Sequence, residues 1–205
     1  MKRCLIAVLC TAILSGSAYA GPTLFSDNFD SENGGNYQLD YTGFANWTVS
    51  DGSVDLIGAG STWDWFGVDH GLYVDMDGST SPKNAGKMTS TPISLAAGTY
   101  LLSFDLAGNQ RNNASEEVTV EVLLGSLFSK SYSLGQHAPF QTFTEIFTVP
   151  TDQDDVELTF EGAGGDNIGM LLDNVAVSVV PAPGAFLLGS LGAGLVGWLR
   201  KRKSL

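Results

Sequence analysis

The chain has 205 residues, with 22 Asp and Glu against 10 Lys and Arg and a formal charge of −12 at neutral pH. Six of the ten cations lie at the two ends. Residues 21–180 therefore hold only Lys83, Lys87, Arg111 and Lys130 against all 22 acids, a formal −18 that excludes nucleic acid as a partner, because phosphate demands a basic surface. Both cysteines, Cys4 and Cys10, fall in the first twenty residues. The remainder has no disulfide, thiol catalyst or cysteine-based zinc site.

Met1-Lys2-Arg3 gives a positive start, Cys4 to Leu14 an apolar run, and Ala18-Tyr19-Ala20 the small-x-small pattern read by signal peptidase. About eleven apolar residues fall well short of the roughly twenty that span a bilayer. Residues 1–20 are expected to form a signal peptide, helical in its apolar part and cleaved after Ala20.

Strand signals then dominate. They cover Thr23 to Phe29, Trp47 to Val49, Ser53 to Ile57, Leu72 to Asp75, Lys87 to Ile93, Gly98 to Leu106, Glu117 to Val122, Leu127 to Tyr132, Phe143 to Val149, Val156 to Glu161 and Met170 to Val180. Tyr100, Leu102, Phe104 and Leu106 fall on one face, with Leu101, Ser103 and Asp105 on the other. Ser50-Asp51-Gly52 reads as a tight hairpin turn. Short strands separated by Gly, Asn and Asp, with no helical period outside the termini, predict an all-β domain over residues 21–180. Its expected architecture is an antiparallel two-sheet sandwich of jelly-roll type.

Catalytic signatures are missing: His70 and His137 have no H-E-x-x-H spacing, and no Gly-x-Ser-x-Gly elbow occurs. The domain is expected not to be an enzyme. Asp75-Met76-Asp77-Gly78-Ser79 opens like a calcium loop but lacks its closing glutamate, and reads as a surface hairpin. Gly162 to Asn167 is glycine-rich without a following helix, and reads as a flexible turn. Trp63-Asp64-Trp65-Phe66-Gly67, with Trp47 upstream, is the candidate ligand contact. Aromatic rings stack on sugar faces while nearby Asp and Asn side chains meet hydroxyls, and three rings within four residues cannot all enter one core. The competing reading puts Trp63 and Trp65 in the core, with Phe66 capping the sandwich.

Residues 181–205 form the last expected unit. Val180-Pro181-Ala182-Pro183-Gly184 ends the domain, Gly184 to Leu199 is uncharged, and Arg200-Lys201-Arg202-Lys203 follows. Counted from Val179, the uncharged stretch has about twenty-one residues, enough for one transmembrane helix whose basic end stays cytoplasmic. Proline pair, apolar helix and basic tail in this order resemble the PEP-CTERM sorting signal. Ala182 stands where that family usually carries glutamate. The resemblance implies an exosortase-like processing enzyme, transient anchoring in the membrane and delivery to the cell surface.

Phe25 to Asp30 and Gly165 to Val175 resemble the first and last strands of galactose-binding-like jelly rolls, common among surface proteins and carbohydrate-binding modules. That resemblance implies adjacent first and last strands and a structural calcium held by Asp30 and Asp173, with Asp27 or Asn174 nearby. Such acidity is also what a hard, oxygen-seeking cation would meet. The expected function is a non-catalytic exported surface or matrix protein. A surface-displayed carbohydrate-binding module, with polysaccharide as partner, is the alternative.

Overall fold

The computed structural model describes residues 21–67, 70–79, 84–111, 118–163 and 166–181. Residues 1–20, expected to be a signal peptide, and Ala182, Pro183, the C-terminal apolar stretch and Arg200 to Lys203 lie outside them. Among the described residues no helix is long and apolar enough to cross a membrane.

The described strands are β1 (Thr23–Asp27), β2 (Trp47–Ser50), β3 (Asp55–Gly58), β4 (Leu72–Asp75), β5 (Lys87–Ser90), β6 (Ile93–Leu95), β7 (Gly98–Ala107), β8 (Val118–Leu124), β9 (Phe128–Leu134), β10 (Gln141–Val149), β11 (Gln153–Val156), β12 (Leu158–Gly162) and β13 (Leu171–Val179). One sheet runs β10-β7-β13-β4-β3, with β1 added along the later half of β13. The other runs β2-β5-β12-β8-β9, and β6 with β11 forms a separate short pair. Every strand pair is antiparallel. The all-β, two-sheet architecture is thus as expected, and the first and last strands are hydrogen-bonded neighbours.

Alternation decides which face of each strand is buried. In β7, Tyr100, Leu102, Phe104 and Leu106 are buried and Leu101, Ser103 and Asp105 are half-buried on the outer side. Facing them across the sandwich are Trp47, Met88, Tyr132, Leu158 and Phe160. The Phe104 and Phe160 rings meet edge to face at 5.2 Å, a geometry worth about 0.5–1.5 kcal/mol beyond burial alone. Trp47 is 4% exposed and packs against Phe25 and Phe160. It belongs to the core, and its indole N–H reaches Asp27 at 3.0 Å; it takes no part in the candidate ligand contact.

Several local expectations are corrected. Ser50 to Gly52 is no hairpin: β2 pairs with β5 and β3 with β4, so this turn carries the chain from one sheet to the other. Asp51 takes φ +62° there, the left-handed conformation that Asp tolerates better than most side chains. The strand expected over Lys87 to Ile93 breaks at Thr91-Pro92, since proline has no N–H to donate to a ladder. The strand expected from Val156 to Glu161 divides into β11 and β12, just after Asp155 at φ +58°.

Candidate functional site

A second, smaller apolar cluster lies outside the sandwich. Ile57, Tyr73, Ala107 and Leu171 project from the outer face of the first sheet, and Leu39, Trp63, Phe66 and Phe140 pack over them. Two of the four covering residues, Trp63 and Phe66, come from the connection of the β3–β4 hairpin.

Tyr73 fixes this connection. Alternation along β4 sends Leu72 and Val74 inward and Tyr73 outward, where its ring is wholly covered. Its hydroxyl donates to the Trp63 carbonyl at 3.0 Å and accepts from the Trp65 N–H at 2.9 Å. One side chain therefore sets the backbone on both sides of Asp64. Burial, with the charges of Asp64, Asp75 and Asp173 adding to it, pushes the phenol up to about 12, so the hydroxyl keeps its proton at any physiological pH. Ser61 Oγ accepts from Trp63 N at 3.1 Å, and Asp64 Oδ1 accepts from Gly67 N at 2.9 Å, closing the tryptophan turn on itself.

The three rings of that turn have different fates. Phe66 is half-buried, with Phe140 at 4.6 Å and Tyr73 at 5.8 Å. Trp63 is half-buried and meets Tyr37 edge to face at 6.5 Å. Trp65 is 40% exposed and Tyr37 44%, so both rings lie at the surface, Tyr37 against Trp63 and Trp65 two residues further along the turn. None of the three enters the sandwich core.

Acidic groups hold the far end of the same connection. Asp30 Oδ1 accepts from Leu72 N at 2.9 Å, and Gly71, at φ +75°, lies so close that a Cβ there would overlap the Asp30 carboxylate. His70 stacks on Phe140 at 4.5 Å and places Nδ1 3.5 Å from Asp173 Oδ2. Asp173 sits opposite Asp105 in the sheet, just before an irregularity in β13 where Asn174 has φ +50°. Asn174 Nδ2 donates to Asp105 Oδ2 at 2.9 Å and Asp173 Oδ2 at 3.2 Å. Burial and then the neighbouring charges of Asp30, Asp105 and Asp27 raise the Asp173 carboxyl to about 7, against the lowering effect of the Asn174 N–H.

Asp30 and Asp173 are thus brought near each other. Their donor chemistry, carboxylate with amide oxygen nearby, suits a hard cation rather than zinc. Among the described residues, however, no three His, Cys, Asp or Glu side chains gather as a metal site. Asp27 is engaged elsewhere: its oxygens accept from Phe29 N, Asn46 Nδ2 and Trp47 Nε1.

The Asp75 to Ser79 segment is not a surface hairpin. Asp75 and Asp77 are buried, and Asp77 Oδ2 accepts from the N–H groups of Asp166, Asn167 and Ile168 at 3.3, 3.0 and 3.3 Å. The end of the glycine-rich segment does cradle an anion, and that anion is the chain's own Asp77. Asp75 accepts from Gly169 N, Asp77 N and Arg111 Nη2, the last at 3.1 Å. Asp55 beside it takes the N–H of Asp40 and both polar groups of Ser79. Burial nonetheless raises Asp75 to about 7, with the Arg111 charge the largest force the other way. His137 is exposed in the β9–β10 connection.

Tyr37, His70, Tyr73 and Phe140 all belong to this outer-face site, and the sequence pattern singles out none of them as aromatic neighbours of Trp63 to Phe66. Tyr37 and Phe140 are distant in sequence. Tyr73 reads simply as one more residue of an apolar strand.

The chain matches no family model and no curated protein. Among solved structures, it is similar to an arabinose-bound α-L-arabinofuranosidase, MgGH51, with a TM-score of 0.50 and 16% identity over 82% of this chain and 27% of that one. It is also similar to the C-terminal CBM6 of the laminarinase LamC from Zobellia galactanivorans (TM-score 0.42, 14% identity, 70% of this chain and 99% of that one). A third is the xylan-binding CBM22-1 domain of Paenibacillus barcinonensis Xyn10C (TM-score 0.42, 14% identity, 81% and 99%). At such identities the likeness concerns the fold alone.

Proposed function

We propose that this chain is a non-catalytic exported surface protein whose sandwich binds polysaccharide through Tyr37, Trp63 and Trp65. One observation carries the reading: Tyr37 and Trp65 are exposed, Trp63 is half-buried beside Tyr37, and Tyr73 fixes the turn that carries the two tryptophans. Exposed aromatic surface held in one place offers a low-entropy face for the C–H side of sugar rings, and Asp64 between the tryptophans supplies a hydroxyl acceptor. The glycan modules named above share the fold, but the reading rests on the rings.

A glycan array probed with the protein and with Trp65→Ala tests it. Binding is expected to be lost in the variant while its melting temperature stays within a few degrees, because Trp65 fills no interior space. Coupled loss of binding and of folding would instead make the ring a packing residue and remove the reading.

Delivery rests on the sequence of the two ends. The exported form is proposed to begin at Gly21 and to be processed near Pro181 to Pro183 by an exosortase-like enzyme, with the membrane helix as a transient anchor. Intact mass of the surface-released protein checks this, and chains ending at Leu205 would overturn it. A calcium ion between Asp30 and Asp173 belongs to the same proposal, completed by carbonyls and water, since calcium takes six to eight oxygens. Binding to the folded state alone would add about 2.7 kcal/mol at a hundredfold excess over Kd, so melts with calcium, magnesium and chelator decide it.

A further inference from the structure

Resting on that polysaccharide reading, we infer that the aromatic platform selects neutral glycans and rejects chains bearing uronate or sulfate groups. The inference comes from the charges around the rings. Asp64 lies between Trp63 and Trp65, its Oδ1 fixed by the Gly67 N–H. Asp30 lies under the end of the same connection through Leu72 N. Asp173 is reached through His70, and Asp105 stands opposite Asp173 in the sheet. Asp64 thus stands between the tryptophans, and Asp30, Asp105 and Asp173 lie at the far end of the same connection.

Compensating cations are scarce for a reason already visible in the sequence. Residues 21–180 hold four Lys and Arg, of which Lys83 lies outside the described residues. The other three are engaged. Lys87 pairs with Glu161 at 3.5 Å on the other sheet, and Lys130 pairs with Glu145 across the sheet edges. Arg111 pairs with Asp75 at 3.1 Å, where Asp55 and Asp77 leave the surroundings net negative. A ring face attracts sugar C–H groups without regard to charge, so discrimination falls to the border. Recognition of uronate or sulfate would call for Arg or Lys at contact distance, ideally a bidentate arginine. A carboxylate border does the reverse, and like-charge juxtaposition is an established way to turn away a wrong partner. Such repulsion acts over about 10 Å at 0.1 M salt, so it is strong at low ionic strength and fades at high.

Affinity electrophoresis of the full-length protein, with chelator present to remove cation bridging, tests this on a uronate-free arabinoxylan and a β-glucan against polygalacturonate and a sulfated galactan. The neutral polymers are expected to retard migration alike at low and high salt. The acidic ones should bind about tenfold or more weakly at low salt, with the gap closing as salt rises. Asp64→Asn, which keeps an acceptor for the Gly67 N–H while removing one charge, should narrow the ratio of neutral to acidic affinity at low salt, a ratio in which any loss common to both classes cancels. Acidic polymers bound as tightly as neutral ones at low salt, or an unchanged gap in Asp64→Asn, would overturn the selectivity while leaving polysaccharide binding intact. Retention by neither class would sink the polysaccharide reading itself, and the selectivity with it.

Discussion

Two groups of acids lie at the outer face of the first sheet, one wholly buried and the other reaching solvent through exposed Asp30 and half-buried Asp105, and they are treated in opposite ways. Asp55, Asp75 and Asp77 are held by nine donor contacts: backbone N–H groups, the Ser79 hydroxyl and Arg111. Asp30, Asp105 and Asp173 have fewer: Leu72 N, Asn174 and Asn28 donate to them, and His70 approaches one of them. The first group replaces lost hydration with donors and so works as a girder for the loops around it. The second leaves repulsion in place beside the aromatic platform, the arrangement expected where a protein keeps charge available for something it meets.

The sharpest break in this contrast should come from Asp77→Ala. It leaves the N–H groups of residues 166–168 without their acceptor; Asp166 is exposed and the other two half-buried, so water replaces part of what is lost and a loss of about 2–3 kcal/mol is expected in denaturant unfolding. Tyr73→Phe is next: it keeps the ring but removes both hydrogen bonds to the tryptophan turn, for about 1–2 kcal/mol. Glycan affinity should fall with it, and amide exchange at Trp65 should quicken while the core amides stay protected. Unchanged exchange at Trp65 would show that the ring, not the hydroxyl, holds the turn.

Acidity sharpens the comparison further. In the folded state Asp75 keeps its proton up to about 7, whereas an unfolded aspartate releases it near 3.8. Between those values the folded state binds more protons, so the contribution of this group to stability falls as pH rises across the window and levels off above it. Melting curves from pH 4 to 8 should show that decline, reduced in Asp75→Asn. The smallest effect is expected from Asp173→Asn without calcium. Relief from Asp30, Asp105 and Asp27 offsets the lost acceptor, leaving stability within about 1 kcal/mol of the parent in denaturant unfolding. A loss as large as that of Asp77→Ala would erase the distinction between the two groups.

Much of the fold was legible where a strand alternates without interruption, as Gly98 to Ala107 does, or runs largely apolar between turn residues, as Leu72 to Asp75 and Leu171 to Val179 do. What misled was local chemistry shared by different structures. An Asp-Gly turn such as Asp51-Gly52 serves a hairpin or a passage between sheets equally well, and the choice is made by pairing partners tens of residues away. Asp75 to Asp77 looked superficial because acids usually are, and the donors that allow its burial come from residues 166–169. The tryptophan turn stood out by its density of rings. Its support did not, because Tyr37, His70, Tyr73 and Phe140 meet it only once the hairpin connection folds back over the sheet.

The place of β13 has a further consequence, in time rather than space. It is the last of the described strands to be synthesised, yet it lies inside the first sheet, bonded to β7 on one side and to β4 and β1 on the other. Thr23 and Ser178, whose hydroxyls touch across β1 and β13, are 155 positions apart. Until that strand emerges, β1 has no partner and β7 has only β10. Pairing at such separation is slow, because the entropy of closing so long a loop must be met before any contact rewards it. The second sheet and the β3–β4 and β7–β10 pairs can form before β13, but the first sheet is joined into one only when this final strand is available.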